Sequence, residues 1–333
     1  MASPEISVVL IPGAAAPAGI NAIKSLRMAE YKGKIVATDS SYLSAGFFMS
    51  DFNEVIPEAD DRLFVERLLG IIKRHKVQVL MPTSGFDIYP YSENRERLLE
   101  MGVHAIVSDR KSLEICRDKM QTYQYLRHDF SVPETTDEPG HVEQFPIIAK
   151  PRFGKGSRGI MKIDDESELK YISSKMNDLI YQEFLPGTEY TIDVLSDLNE
   201  KPLIAVPRIR IQTKAGISTK GKIVRDIELE ENCLEIARCI RIRGPCCIQM
   251  KESSEGTLKL VEVNPRMGGG TIFSTLAGVN FPSLLLDLIE DKEIVIPKIS
   301  EVTIIRYFEE IVIRNEERKD FETGMLPKPN YLA

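Results

Sequence analysis

Apolar and amphipathic stretches alternate regularly in the first third of the chain. Ile6 to Ile11 is an apolar run closed by Gly13-Ala14-Ala15-Ala16-Pro17-Ala18-Gly19, and helical spacing follows through about Glu30. Lys34 to Thr38 is a second apolar run, with Asp39 at its carboxyl end. Leu63 to His75 has the period of an amphipathic helix, Val77 to Met81 that of a buried strand, Glu93 to Met101 a helix and Val103 to Val107 a strand. This β-loop-α-β alternation predicts an α/β domain over residues 1–110, built on an open, doubly wound parallel sheet. The first turn is alanine-rich and lacks G-x-G-x-x-G, so Gly13 and Gly19 are expected to serve a tight turn and close helix–strand packing. Asp39 is expected to cap or turn.

The pattern then changes character. Ser112 to His128 is helical, with a serine able to cap it. Phe145 to Arg152 reads as an apolar strand, Ile160 to Ile163 as another, Asp165 to Asn177 as a helix, and Leu179 to Leu185 as a strand entering the turn Pro186-Gly187. In the strand after it, Glu189, Thr191 and Asp193 share one face and Tyr190, Ile192 and Val194 the other. Pro207 to Arg225 is basic, with turn signals at Ala215-Gly216 and Lys220-Gly221. A helix over Cys233–Arg241 leads to two strands, Cys246–Lys251 and Leu258–Val263. Helices at Thr271–Ala277 and Pro282–Ile289, a strand or ribbon at Ile304–Ile313 and a loosely packed tail from Asn315 complete the expected α+β part.

Composition narrows the function classes. The 333 residues are 43% hydrophobic and 28% charged, with a net charge of −7. That is ordinary for a globular protein and opposes nucleic acid as the main partner, since phosphate backbones need a basic field. No run approaches the length of a membrane span. Cys116, Cys233, Cys239, Cys246 and Cys247 are odd in number and lack C-x-x-C spacing, which suggests reduced thiols in a cytoplasmic enzyme.

Candidate chemistry centres on Leu258 to Gly270, LKLVEVNPRMGGG. Pro265 and three glycines prevent the segment after the strand from becoming a helix. Glu262 and Asn264 point the same way along the strand, and a hairpin folded about Glu255 and Gly256 puts Gln249 opposite Glu262. A carboxylate and two amide oxygens are hard donors of the kind Mg²⁺ accepts. Arg266 is a permanent cation beside them. Upstream, Lys150 ends an apolar strand, where a buried ammonium needs an anion. The loop Phe153-Gly154-Lys155-Gly156-Ser157-Arg158-Gly159 can bring backbone amides and further donors to phosphate oxygens. Arg208 and Arg225 are candidates for phosphate or substrate carboxylate, and the glycine run beside Arg266 for a carboxylate or acyl-phosphate cradle.

Q-x(12)-E-x-N-P-R, with the lysine, glycine-rich loop and strand upstream, resembles the ATP-grasp superfamily, especially the carbamoyl-phosphate synthase large subunit and related carboxylate–amine ligases. The resemblance implies a pre-ATP-grasp domain (1–110), a two-lobed ATP-grasp core (111–300, flap at about 130–184) and a C-terminal strand and tail (301–333). It implies ATP bound with Mg²⁺, or Mn²⁺ in its place. Lys119, Lys150, Gly154, Gly156, Ser157 and Arg208 would hold phosphates. Gln182, Glu183 and the Phe184-Leu185 backbone would hold adenine, and Glu189 the ribose. Gln249, Glu262 and Asn264 would bind metal, while Arg266, Lys150 and Arg225 serve catalysis. Asp193 is either part of this site or a structural hydrogen-bond partner.

The implied reaction joins a carboxylate, such as an amino acid, to an amine through an acyl phosphate. Many relatives have an acid where this chain has Gln249, which leans toward the carbamoyl-phosphate synthase branch, whereas the triple glycine leans toward amino-acid ligases. A half-enzyme phosphorylating bicarbonate or carbamate, a non-catalytic ATP-binding regulatory module and a phosphotransferase with a stable product are the alternatives. Dimers are common among such relatives, which makes a homodimer possible here, but the sequence does not settle the oligomeric state.

Overall fold

The computed structural model describes residues 5–313 apart from Lys155 and Ser157. Strands β1 (Val8–Pro12), β2 (Lys34–Asp39), β3 (Phe52–Val55), β4 (Val79–Leu80) and β5 (His104–Ala105) form a parallel sheet in the order β3-β2-β1-β4-β5. Its inner strands β1, β2 and β4 are apolar on both faces because both faces are covered, whereas the edge strand β3 is partly exposed. Val9 and Ile11 of β1 pack toward helix α1 (Pro17–Met28), while Leu10 packs with Leu68 and Ile72 of α2 (Phe64–His75) on the other side. Helices α3 (Ile88–Glu93) and α4 (Arg95–Glu100) add Tyr91 and Leu98 to that second layer. Close packing explains Gly19, where a Cβ would sit 2.3 Å from the Gly13 carbonyl oxygen. Asp39 makes the expected turn, accepting from the Ala15 and Ser41 amides at 2.7 and 3.1 Å.

The long helix expected over Ser112–His128 is two helices, α5 (Arg110–Arg117) and α6 (Lys119–Leu126). Asp118 breaks it. Its backbone is extended, and its carboxylate accepts from the Met120 and Gln121 amides, capping α6. Arg152 then clamps that carboxylate with two bonds of 2.8 Å. A tertiary partner thus overrides helical spacing, and Lys119 becomes the first residue of a helix.

Strands β6 (Thr135–Thr136), β7 (Ile147–Pro151), β8 (Met161–Ile163) and β9 (Leu179–Glu183) form an antiparallel sheet, β6-β9-β7-β8, with α7 (Glu166–Lys175) beside it. A larger antiparallel sheet contains β10 (Glu189–Ser196), β11 (Pro202–Lys214), β12 (Ile217–Ile223), β13 (Pro245–Glu252), β14 (Leu258–Asn264) and β15 (Thr303–Ile305), in the order β14-β13-β10-β11-β12-β15. Helix α8 (Ile227–Ile240) covers one face through Leu229, Cys233, Ile236 and Ile240. Helices α9 (Thr271–Leu276) and α10 (Phe281–Ile289) join Leu195, Val206 and Ile223 to the α1 side of the first sheet. Two sequence expectations fail here. Lys220-Gly221 lies inside β12, not in a turn, and the last strand is only Thr303–Ile305. The tail from Asn315 lies outside the described residues.

Candidate active site

The two antiparallel sheets and the carboxyl edge of the parallel sheet enclose a cavity of about 560 Å³, within the range of small-molecule and cofactor sites. One wall is the β13–β14 hairpin. Gln249 lies opposite Glu262 and Cys247 opposite Asn264. Nearer the turn, however, Met250 pairs with Leu260 and Lys251 with Lys259, so the hairpin folds about Glu255 alone and Val261 is the extra residue of a bulge. The bulge shifts the phase of alternation. Leu260 and Val263 enter the apolar core, while Glu262 and Asn264 line the cavity.

Lys150 faces this wall from β7. It is 3% exposed, and its Nζ donates to Gln182 Oε1 at 2.8 Å. Gln182 is oriented by its own bond to Thr135 Oγ1 at 2.9 Å. A neutral amide is a weak partner for a buried ammonium, and burial lowers the Lys150 pKa to about 8, although Glu262 acts in the opposite direction. Lys119 donates to the carbonyls of Arg152 and Gly154 at 3.4 and 3.2 Å. Burial lowers its pKa too, against the pull of Glu262 and Asp118. Among the described residues the Glu262 carboxylate accepts no hydrogen bond and joins no ion pair, although its backbone belongs to the β13–β14 ladder. Two under-neutralised ammoniums and one unpaired carboxylate therefore share the cavity.

Gly154, Gly156 and Arg158 line it as well, and Lys155 and Ser157 lie outside the described residues. Gln182, Glu183, Leu185 and Glu189 form the next stretch of wall. Glu183 is held by Lys259 at 2.7 and 2.8 Å. Phe184 is not part of the lining, and its ring lies beneath the Lys162 and Lys251 ammoniums. Arg208 lines the floor, is 2% exposed and pairs with Asp193 at 3.1 Å. Asp193 is also the acceptor for Ser274 Oγ at 2.6 Å and Cys247 Sγ at 3.0 Å, which makes it a structural hub. Arg266 donates to Asn264 Oδ1 at 3.1 Å and to the Met267 carbonyl at 2.9 Å.

Arg225 is not brought to the cavity. It pairs with Glu230 at 2.7 and 3.0 Å beside the start of α8, since Lys220-Gly221 continues β12 and carries the chain past the site. Arg210 was missed. It lines the cavity, pairs with Glu189, approaches Gln249 Oε1 at 3.5 Å and donates to the Gly216 carbonyl at 2.7 Å. Its alternation with Arg208 along one strand was the available signal. Ala16, Thr83, Ser84 and Gly85 close the cavity from the parallel sheet, and no local motif marks them.

Glu262, Asn264 and Gln249 suit a cation that keeps most of its ligands from water and phosphate, as Mg²⁺ does. No cluster of three or more His, Cys, Asp or Glu side chains that could hold a metal occurs among the described residues. Such a cation would therefore depend on oxygens supplied by a ligand. Its lysines, arginines and glycine-rich loops could together hold a polyanionic ligand.

Known proteins resemble the chain in sequence and in fold. Residues 175–311 match the family model described as ATP-grasp in the biosynthetic pathway with Ter operon, and residues 14–106 match the PylC-like N-terminal domain. A carbamoyl phosphate synthase large chain from Clostridium botulinum (strain Eklund 17B / Type B) is 25% identical over 291 residues, covering 75% of this chain and 25% of that protein. The chain thus spans about a quarter of the length of such relatives. A D-alanine–D-alanine ligase from Thermotoga petrophila is 27% identical over 122 residues, covering 34% of this chain and 40% of its own. In fold, N5-carboxyaminoimidazole ribonucleotide synthetase from Thermotoga maritima superposes with a TM-score of 0.64 at 17% identity, over 88% of this chain and 78% of that one. Biotin carboxylase from Campylobacter jejuni gives 0.68 at 14%, over 89% and 74%. Residues 175–311 thus carry the ATP-grasp family match, and the fold is that of ATP-grasp enzymes. None of its described helices is long and apolar enough to cross a membrane.

Proposed function

We propose that this protein is an ATP-dependent ligase that joins a carboxylate to an amine and releases ADP and phosphate. The observation that carries the reading is Lys150, a buried ammonium bonded only to an amide, facing the cavity that Glu262 and Asn264 line. Triphosphate oxygens are the partner this charge lacks. In the proposed reaction a carboxylate oxygen attacks the γ-phosphorus, the bond to the β–γ bridging oxygen breaks, and ADP leaves. The amine then displaces phosphate from the acyl phosphate. Lys119 and Lys150 hold phosphate oxygens, Gln182 aims Lys150, and Arg266 faces the developing charge, so catalysis rests on position and charge neutralisation. Mg²⁺ held by Glu262, Asn264 and Gln249 would supply further neutralisation of the phosphates.

Bicarbonate as the carboxylate is the second reading. It is favoured by the carbamoyl phosphate synthase relatives, together with an uncharged Gln249 opposite Glu262. An ADP-release screen over pairs of amino acids, and over bicarbonate with and without amine, separates the two, with Lys150→Ala as the blank. Release that requires both a carboxylate and an amine is expected. Formation of AMP sinks the acyl-phosphate mechanism, and tight nucleotide binding without turnover across the panel makes the protein a regulatory module.

A further inference from the structure

Behind the cavity, the carbonyl of Gly269 is gripped from both ends of the chain. Asn21 Nδ2, on α1, donates to it at 2.8 Å, and Arg306 Nη2, just past β15, donates at 2.6 Å. Arg208 Nη1 reaches the neighbouring Gly270 carbonyl at 3.4 Å. Arg208 and Arg306 both lie over the Phe273 ring, at 5.1 and 4.9 Å. The amides of Gly269 and Gly270 donate to no group among the described residues, yet both glycines line the cavity. Three donors pulling carbonyls to one side of a short loop leave its amides for the other side, the arrangement from which anion-binding nests are made. A side chain at Gly270 would have to displace the Arg208 guanidinium, because a Cβ there would lie 2.3 Å from Arg208 Nη2.

We propose that Asn21 and Arg306 are positioning residues that hold the Gly268–Gly270 loop with the Gly269 and Gly270 amides presented to an anionic group of the substrate or product. This deepens the ligase reading and rests on it. Neither residue lines the cavity, so each acts through the loop. Their convergence also ties the amino-terminal domain and the carboxyl-terminal strand to one point of the site, and α1 is fastened there a second time by Ser25 Oγ and Thr275 Oγ1 at 2.8 Å.

The test uses the full chain as wild type, Asn21→Ala, Arg306→Gln and Arg306→Lys, with calorimetry of MgADP and then of inorganic phosphate added to the MgADP complex. Hydrogen exchange of the peptide spanning 265–272 is followed in the free protein. MgADP affinity is expected to stay within about twofold in every variant. Phosphate affinity should fall about tenfold or more in Asn21→Ala and Arg306→Gln, recover in part in Arg306→Lys, and be accompanied by faster exchange of the loop. Unchanged loop exchange, or unchanged phosphate affinity in both truncations, overturns the proposal. Failure of the wild type to bind MgADP overturns the ligase reading instead, and loop exchange still decides whether the clamp exists.

Discussion

Lys150 concentrates the physics of the site at the scale of a residue. Its pKa of about 8 lies below that of an unfolded-state lysine, so between the two values the unfolded chain binds more protons than the folded one. Stability from this group therefore rises with pH across that window, and at neutral pH the buried charge is a cost. Bound phosphates reverse the balance by raising the pKa. MgADP binding at pH 8.5 should thus take up protons, seen as a dependence of calorimetric heat on buffer ionisation enthalpy. Lys150→Met should abolish the uptake and weaken nucleotide binding at neutral pH about tenfold or more. Unaltered proton uptake in that variant would remove Lys150 from the phosphate site. The residue is legible in the sequence because a lysine closing an apolar strand is carried into the interior, where its charge requires an anion. Arg225 carried no such constraint, and a half-buried carboxylate, Glu230, takes it.

Among the elements, the break at Asp118 and the bulge at Val261 decide which side chains enter the cavity. Burial raises the Asp118 carboxyl, but Arg152 and the capped amides outweigh it and hold the group below the ordinary carboxylate range. Its contribution to stability is accordingly complete above the unfolded carboxylate pKa and is lost as pH falls through the lower folded value. Asp118→Ala removes a helix cap and one partner of a clamp, and should cost about 1–2 kcal/mol in denaturant unfolding. It should also weaken MgADP binding severalfold, since Lys119 begins the helix that Asp118 caps. A variant that loses stability but keeps full affinity would show that Lys119 needs no such placement. The bulge was illegible for a general reason. Strand alternation predicts that Glu262 and Asn264 agree, but only the partner strand reveals that Leu260 has changed face.

For the whole molecule, the apolar core runs unbroken from the parallel sheet through α1 to α9, α10 and the large antiparallel sheet. Unfolding of these parts should be one cooperative transition rather than two. With no tryptophan in the chain, calorimetry and tyrosine signals are the measurements to compare. MgADP at a hundred times its dissociation constant should add about 2.7 kcal/mol to the unfolding free energy. Arg225→Ala, away from the cavity, should leave that increment unchanged. Two separated transitions, with only one shifted by nucleotide, would mean that the shared core does not couple the parts.

The sequence alone determined the architecture of its layers and the pairing of Gln249 with Glu262. Strand and helix periods, the strand-ending Lys150 and the Gln249–Glu262–Asn264 spacing are local or follow from simple pairing, so they are readable one residue at a time. Tertiary structure decided what depends on distant partners. Arg152 breaks a helix at Asp118, Asp193 gathers Arg208, Ser274 and Cys247, and Asn21 and Arg306 meet at one carbonyl. These contacts join residues far apart in the chain, and no periodicity encodes them because each is fixed only when separately formed layers pack together.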